Sequence, residues 1–448
     1  MSQQSPRAGL SFFGMIGAVM TTLKLKQHWN EYNPVSTEEE GRVALSSTTP
    51  IAATAPYNGR DEATIGLLDP EARPKRKRRG GCCVCCGIDC SLFWKALGIV
   101  VAGLFVWNAI KLIRWAVADA PTGLELMPAF SNSLGCLAAS HIYKGSKVVL
   151  TAGLGKENDH SFDIRGSAFG TFVIAQGDAY LKEVKYEMTL RSDDATLFDA
   201  VDIRYPDTAE DGSVPNSRLL ITTPRTGPEV ACMRYDIKMY VPRSLRKLHI
   251  ASHTTMHLQF DSAANIEFDK LYVTMYAMDK NNLILPSQNV RGNDMTLEVF
   301  RGWIVGDVAI VNNTSITTQR GDGVANVHAY PTVPIDPEHP EPASLRTTTG
   351  AGRTDIFYVS SKASKRPINS IHMSSRNGDV YLTYRQAEFS GRVALDSKSY
   401  ATTGLQRLND VSSNEEGDGS PRWTHWAGDQ DGSDEIYVRS RGWTGLYI

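Results

Sequence analysis

The chain has 448 residues, of which 42 % are hydrophobic, so it can fill at least one core and is not disordered as a whole. Its formal net charge of -2 excludes a global field that would attract nucleic acid, and we predict no nucleic-acid partner. Any electrostatic function must come from a local cluster of charges.

Residues 1–80 show no sustained helical or strand period and are predicted to form a disordered cytosolic tail. Within it, an uncharged apolar run from Ala8 to Leu23 resembles the hydrophobic region of a signal peptide. The run lacks a small-x-small cleavage site and is shorter than the roughly 20 residues that a comfortable membrane span needs. A cleaved signal and an apolar part of the tail both remain open.

The most informative feature is an apolar segment over 92–118, which we predict to be a transmembrane helix. Trp94 and Trp115 would lie about 31 Å apart in a helix that rises about 1.5 Å per residue, which matches a hydrocarbon core about 30 Å thick. A buried core helix is the alternative, but it would not need tryptophans at both ends and a basic flank. The basic flank, which we expect to contact anionic lipid, comprises Arg73, Lys75, Arg76, Lys77, Arg78 and Arg79.

The basic flank also predicts the orientation, because positively charged residues stay on the cytosolic side. The N-terminus is then cytosolic and the C-terminal domain lumenal or extracellular. A cysteine-rich juxtamembrane segment at 81–91 separates the flank from the helix and is predicted to be lipidated by S-acylation (palmitoylation). Zinc binding and inert thiols are the alternatives, and zinc would need a second pair of ligands nearby. The cysteines are Cys82, Cys83, Cys85, Cys86 and Cys90.

On the far side of the helix, an oxidising compartment allows two modifications. Cys136 and Cys232 are the two cysteines in that part of the chain, and we predict a disulfide between them. The overlapping sequons of Asn312 and Asn313 lie in a turn-like segment between two strand-like runs, so both are candidate glycosylation sites.

After a predicted stalk at 119–159, residues 160–448 consist of short strand-like runs punctuated by Gly, Asn and Asp, with no long amphipathic helix. We predict an all-β domain with polar loops near 331–353 and 409–433. Strands that cannot bury a face alone stack into a β-solenoid (β-helix-like) or pack as a β-sandwich. The solenoid is preferred and the sandwich is the alternative.

Several residue patterns are candidates for chemical sites. His249, His253 and His257 recur every four residues, which on a strand spans roughly 13 Å, too far for one metal ion. Arg320-Gly321-Asp322 is interpreted as a hairpin turn, and the acidic stretch near Asp429 as a solvated loop rather than a calcium site. The nucleophile-elbow, metalloprotease, P-loop and dinucleotide-binding motifs are absent from the sequence. We therefore predict no catalytic residues, no metal and no cofactor.

One stretch of the β region resembles a known family. The features are a strand ending in Val241-Pro242, the Leu248-His249-Ile250 run, the Gly302 to Gly306 step, and the later RNGDVYLTY and RSRGWTGLYI segments. Together they resemble the "putative adhesin" β-solenoid domain of unknown function found in bacteria and fungi, over residues 160–448. The resemblance implies a stack of β rungs that presents a surface for adhesion, although the irregular rungs and two polar loops of this sequence depart from the family's compact repeat.

These observations predict a single-pass membrane protein whose non-enzymatic β-domain presents a binding or adhesion surface. Its expected partners are the lipid bilayer and a carbohydrate or protein ligand. A structural scaffold is the nearest alternative, followed by a carbohydrate-active β-solenoid enzyme with converging carboxylates. The exposed face discriminates among them: an aromatic strip favours carbohydrate binding, and a carboxylate-lined groove favours an enzyme.

Overall fold

A computed structural model of the protein describes residues 12–31, 84–85, 88–117, 122–225, 231–334, 336–360, 365–408 and 422–448. It divides into two compact units, Met1–Ala120 and Pro121–Ile448, called unit 1 and unit 2 below. The described residues are mostly β-strand, with few helices.

Unit 1 contains two helices, α1 (Phe12–Glu31) and α2 (Cys90–Val117), and the short antiparallel strands β1 (Val84–Cys85) and β2 (Ile88–Asp89). Helix α1 forms within the segment that was predicted to be a disordered tail. It forms because its apolar side chains pack against α2: buried Ile16 packs with Ala96 and Val100. The sequence pattern of α1 did not indicate that partner.

Helix α2 contains a window, Phe93–Ile113, that is long and apolar enough to cross a membrane, with a mean hydropathy of 2.0. Only 11 % of that window is buried. Large apolar side chains such as Phe105, Trp107 and Leu112 are exposed on it. This exposure differs from the packing of a core helix in a water-soluble protein.

Unit 2 contains strands that mostly alternate buried and half-buried residues. In chain order they are β3 (His141–Ile142), β4 (Val148–Ala152), β5 (Asp159–Arg165), β6 (Phe169–Gln176), β7 (Val184–Ser192), β8 (Asp202–Arg204), β9 (Arg218–Thr222), β10 (Met233–Val241), β11 (Lys247–Ser252), β12 (Met256–Phe260), β13 (Ile266–Met275), β14 (Leu283–Leu285), β15 (Val290–Val299), β16 (Trp303–Ile310), β17 (Asn313–Thr318), β18 (Val324–Pro331), β19 (Ala343–Thr349), β20 (Arg353–Val359), β21 (Ile368–Ser374), β22 (Asp379–Gln386), β23 (Gly391–Thr403), β24 (Gln406–Arg407), β25 (His425–Ala427) and β26 (Asp434–Tyr447). Short 3-10 helices lie at Asn132–Leu134, Tyr143–Gly145 and Ala195–Ala200.

Two parallel ladders organise these strands. Ladder A runs β9, β5, β11, β13, β15, β17, β19, β21, β26, β23, and ladder B runs β10, β6, β12, β14, β16, β18, β20, β22, β26, β23. From β11 to β22, therefore, the chain alternates between the ladders strand by strand. At the N-terminal end, β7 joins β10 antiparallel, and β3 and β4 pair with β7.

The in-register pairing stacks equivalent side chains into columns inside unit 2. Ile250, Val273, Leu297 and Ile316 occupy aligned positions on successive strands of ladder A, and all four are buried. Because each strand adds one more side chain to the column, the apolar core grows along the stack rather than around one centre.

Three predicted boundaries differ from the structure. The stalk at 119–159 contains β3 and β4, which pair with β7. The predicted loop at 331–353 contains β19, in which Ala343, Leu345 and Thr347 are buried on alternate positions. The predicted loop at 409–433 contains β25, while residues 409–421 lie outside the described residues. The composition of β19 is polar and rich in threonine, so the sequence does not reveal that its residues alternate between buried and more exposed positions.

The segment 122–136, called the strap below, packs across ladder B. Its Leu124 and Phe130 contact Leu283, Trp303 and Val324, which would otherwise present an apolar patch. The strap is therefore part of unit 2.

Fully buried Arg234 fastens the strap to the sheet. Its guanidinium donates to the carbonyl oxygens of Ser131 at 2.9 Å and Gly135 at 2.8 Å, and it pairs with Asp236 at 2.9 Å. These contacts satisfy a charge that would be costly to bury alone.

Candidate functional site

The predicted lipid-contacting residues fall mostly outside the described part of the chain. This applies to Cys82, Cys83 and Cys86 and to the whole basic flank, Arg73, Lys75, Arg76, Lys77, Arg78 and Arg79. Of the remaining cysteines, Cys85 lies in β1 and Cys90 is the first residue of α2. S-acylation and contact with anionic lipid stay predictions.

The structure joins Cys136, at the end of the strap, to Cys232, just before β10, in a disulfide with Cα atoms 6.1 Å apart. The strap brings them together because it folds back over ladder B. Of the two sequon asparagines, Asn313 is exposed and Asn312 is half-buried. The side-chain amide nitrogen of Asn313, the atom that would carry a glycan, donates a hydrogen bond to Asp294 at 2.9 Å.

The three regularly spaced histidines occupy different environments. His249 and His253 are exposed on ladder A, whereas His257 is buried on ladder B, where its Nδ1 accepts a hydrogen bond from the Ser131 backbone N–H at 3.0 Å. In the described ranges, no group of three or more His, Cys, Asp or Glu side chains is placed to hold a metal ion.

The exposed face of ladder A carries an aromatic row made of His249, Tyr272, His253, Tyr276 and Phe300. The His253 ring stacks on Tyr276, with centroids 4.6 Å apart and planes inclined by 13°, and Tyr276 contacts Phe300 at 5.3 Å. His249 meets Tyr272 edge-on at 6.4 Å. Tyr272 and Tyr276 are each 37 % exposed, so their rings are available to a ligand.

The aromatic row is produced by register. His249 pairs with Tyr272 in the ladder, and His253 and Tyr276 follow the paired residues Ser252 and Met275 at the ends of β11 and β13. Residues four apart on one strand face the same side of a sheet, so each of these two strands contributes one ring to each of two columns. The sequence alone does not indicate that these residues lie next to one another.

One end of the aromatic row borders a cleft of about 490 Å³. In the lining of this cleft, the Asp163 carboxylate accepts hydrogen bonds from Arg165, at 2.8 Å, and from Arg218. The Asp163 side chain is only 4 % exposed, whereas Arg165 and Arg218 are 49 % and 42 % exposed. The cleft is lined by Ser161, Asp163, Arg165, Asn216, Arg218, His249, Ala251, His253 and Tyr276.

The charge state of Asp163 follows from these contacts. Burial by itself would raise the pKa of the Asp163 carboxyl, but hydrogen bonds from Arg165 and Arg218 outweigh burial and lower the pKa. An ionised carboxylate held by two guanidinium groups cannot donate a proton at neutral pH. Asp163 therefore positions the two arginines and is a poor general acid.

A second cluster, His160 with Ser217, has the residue types of a nucleophilic pair but the wrong hydrogen bonds. Ser217 Oγ donates to the Gly153 carbonyl at 2.5 Å, so His160 Nδ1, 2.6 Å away, is the donor to Ser217. His160 Nε2 then accepts from the Tyr186 hydroxyl at 2.6 Å. In this arrangement the imidazole cannot remove the serine proton, and His160, Tyr186 and Ser217 are all buried.

Comparison with known proteins gives a weak likeness. No family model and no curated protein matches the chain. The chain is similar to a solved structure of a "putative cell adhesion protein" from Clostridium sporogenes, with 10 % sequence identity and a TM-score of 0.22. The alignment covers 67 % of this chain and 98 % of that chain. A TM-score this low carries no argument about function.

Proposed function

We propose that the protein is a non-enzymatic, membrane-anchored adhesion protein whose unit 2 is a β-solenoid that binds carbohydrate on the exposed face of ladder A. The observation that carries the proposal is the aromatic row, in which His253 stacks on Tyr276 beside a polar cleft.

The solenoid is supported by the alternation of the chain between two parallel ladders. Parallel neighbours need a crossover connection, and here each crossover is itself a strand of the other ladder. A β-sandwich would consist of antiparallel sheets, so the parallel register of ladders A and B favours the solenoid.

Carbohydrate binding is supported by the chemistry of the face. A sugar ring presents C–H groups on its flat side and hydroxyl groups at its rim, so it suits an exposed aromatic ring flanked by hydrogen-bonding side chains. Tyr276 supplies the ring, and Ser161, Asn216 and Arg218 supply the polar groups in the same cleft.

A catalytic role fits the same face less well. Glu298, on β15 of the same face, accepts a hydrogen bond from Gln319. A glycosidase needs two carboxyl groups that face each other across the bond to be cleaved, one of them protonated. Asp163 is bound by two arginines, and we infer that this face binds without cleaving.

The carbohydrate proposal is tested with Tyr276→Ala. Removing the ring is expected to weaken binding to glycans that the unmodified chain retains by about tenfold or more, since burying an aromatic side chain is worth about 1.5–3 kcal/mol. Binding is measured on a glycan array and then by calorimetry with the retained glycans.

The matched control for Tyr276→Ala is Phe357→Ala on ladder B. Phe357 is half-buried and contacts His328, with ring centroids 4.9 Å apart, so it is also an aromatic ring beside a histidine. Phe357→Ala is expected to leave glycan binding unchanged. A chain that retains no glycan at all would favour the structural scaffold instead.

The membrane anchor rests on helix α2, because a helix with exposed Phe105 and Trp107 is stable in hydrocarbon and exposes apolar area in water. In sealed microsomes, added protease is expected to digest the tail and leave unit 2 intact, and detergent is expected to expose unit 2. Digestion of unit 2 in intact vesicles would contradict the proposed lumenal or extracellular orientation.

S-acylation is tested in the same preparation. Replacing all five clustered cysteines with serine should remove any hydroxylamine-sensitive lipid label.

A further inference from the structure

We infer that the carbohydrate bound on ladder A carries acid groups, which Arg165 and Arg218 bind beside the Tyr276 ring. This inference rests on the proposed function and names the class of its ligand.

The inference starts from the charge balance of the cleft. Asp163 is the one acidic residue among those that line it, against the two arginines. The pairing of Asp163 with both guanidinium groups leaves one positive charge without an acidic partner in the cleft. An acid group on the ligand would balance this charge, and a neutral sugar would not.

The geometry leaves the arginines able to bind a second acid. Asp163 is buried beneath them, and roughly half of each arginine side chain is exposed. The Asp163 carboxylate accepts from Nε and Nη2 of Arg165 and from Nη2 of Arg218, so Nη1 of both residues is not engaged by Asp163. Because both guanidinium groups are already fixed by Asp163, little side-chain entropy is lost when a ligand binds.

A cluster of similar composition on ladder B differs from the cleft in its charge balance. There, Arg353 pairs with Asp355 at 2.6 Å and lies over the Tyr381 ring at 4.2 Å. That cluster also combines arginine, aspartate and an aromatic ring, but one guanidinium meets one carboxylate, and Glu125 of the strap adds further negative charge nearby. The ladder B cluster therefore has no excess positive charge to attract an acid.

The test compares two pairs of polymers on the full chain in detergent. Each pair differs in acid content: polygalacturonate against its carboxyl-reduced form, and dextran sulfate against dextran. Retention of an acidic polymer in preference to its neutral partner supports the inference and identifies the acid as carboxylate or sulfate. Equal retention of neutral and acidic partners overturns the inference but leaves the proposed carbohydrate function standing. Retention of none of the polymers, together with an empty glycan array, overturns both.

Variants separate the cleft from general attraction of polyanions. Arg218→Gln is expected to weaken binding of the acidic polymer by roughly tenfold more than it weakens binding of the neutral partner. Arg218→Lys keeps the charge and should restore much of the loss, which separates charge from misfolding. Arg346→Gln, an exposed arginine elsewhere on ladder A, is the matched control and should have no effect. Equal losses in Arg218→Gln and Arg346→Gln would show non-specific polyanion binding and overturn the inference.

Discussion

Deletion of residues 441–448 is expected to destabilise unit 2 by on the order of 5 kcal/mol or more, because these residues form an internal strand. They are the second half of β26, which lies between β22 and β23 in ladder B. Leu446 is fully buried and is aligned with Leu382 on one side and Thr402 on the other. The truncation therefore removes both a core side chain and the hydrogen-bond partner of two neighbouring strands.

The deletion is measured by thermal unfolding and by limited proteolysis of the full-length and truncated chains. We expect a lower Tm and new cleavage within β22 and β23. Two point variants separate packing from chain length. Leu446→Ala should cost about 3 kcal/mol, whereas Tyr447→Ala, at a half-buried outward position, should cost about 1 kcal/mol. A truncated chain that melts like the intact one and stays monomeric would show that the ladder ends before β26.

Acidification from pH 7 toward pH 4 is expected to destabilise unit 2 through three buried histidines. Burial lowers the pKa of His160 and His257 to about 4 and that of His372 to about 3, because the charged imidazolium is disfavoured away from water. Each of the three imidazoles makes a hydrogen bond as a neutral ring, and His372, for example, is bonded to Thr347 and Tyr384, both at 2.8 Å.

The direction of this pH effect follows from the difference in proton binding between the folded and the unfolded chain. Below about pH 6.5 the unfolded chain binds a proton at each of these histidines, while the folded chain stays neutral until about pH 4 or below. The free energy of unfolding therefore falls with decreasing pH through that window, by up to about 1.4 kcal/mol per pH unit for each histidine.

Urea unfolding at pH 7, 6 and 5 measures this dependence. His372→Gln removes one titrating group, so its free energy of unfolding should be lower at pH 7 but should fall less steeply with acid. His339→Gln is the control, because the His339 side chain is 86 % exposed, and its slope should match that of the unmodified chain. An unchanged slope in His372→Gln would show that this histidine does not contribute to the acid sensitivity.

Local patterns in the sequence predicted the classes of element. The charge-free run between Lys95 and Lys111 indicated a long apolar helix, and alternation in stretches such as Val184–Ser192 indicated strands, since local hydropathy and its period reflect the type of element.

Tertiary structure alone decided which of these elements meet. The final strand could have formed an edge, yet it lies between β22 and β23, and the strap could have been an extended stalk, yet Arg234 holds it on ladder B. The candidate site depends on the same long-range register, which places Asp163 against Arg218 and His253 against Tyr276. Sequence periodicity cannot supply that information, because it reports which face of a strand is buried and contains nothing about which strand lies alongside.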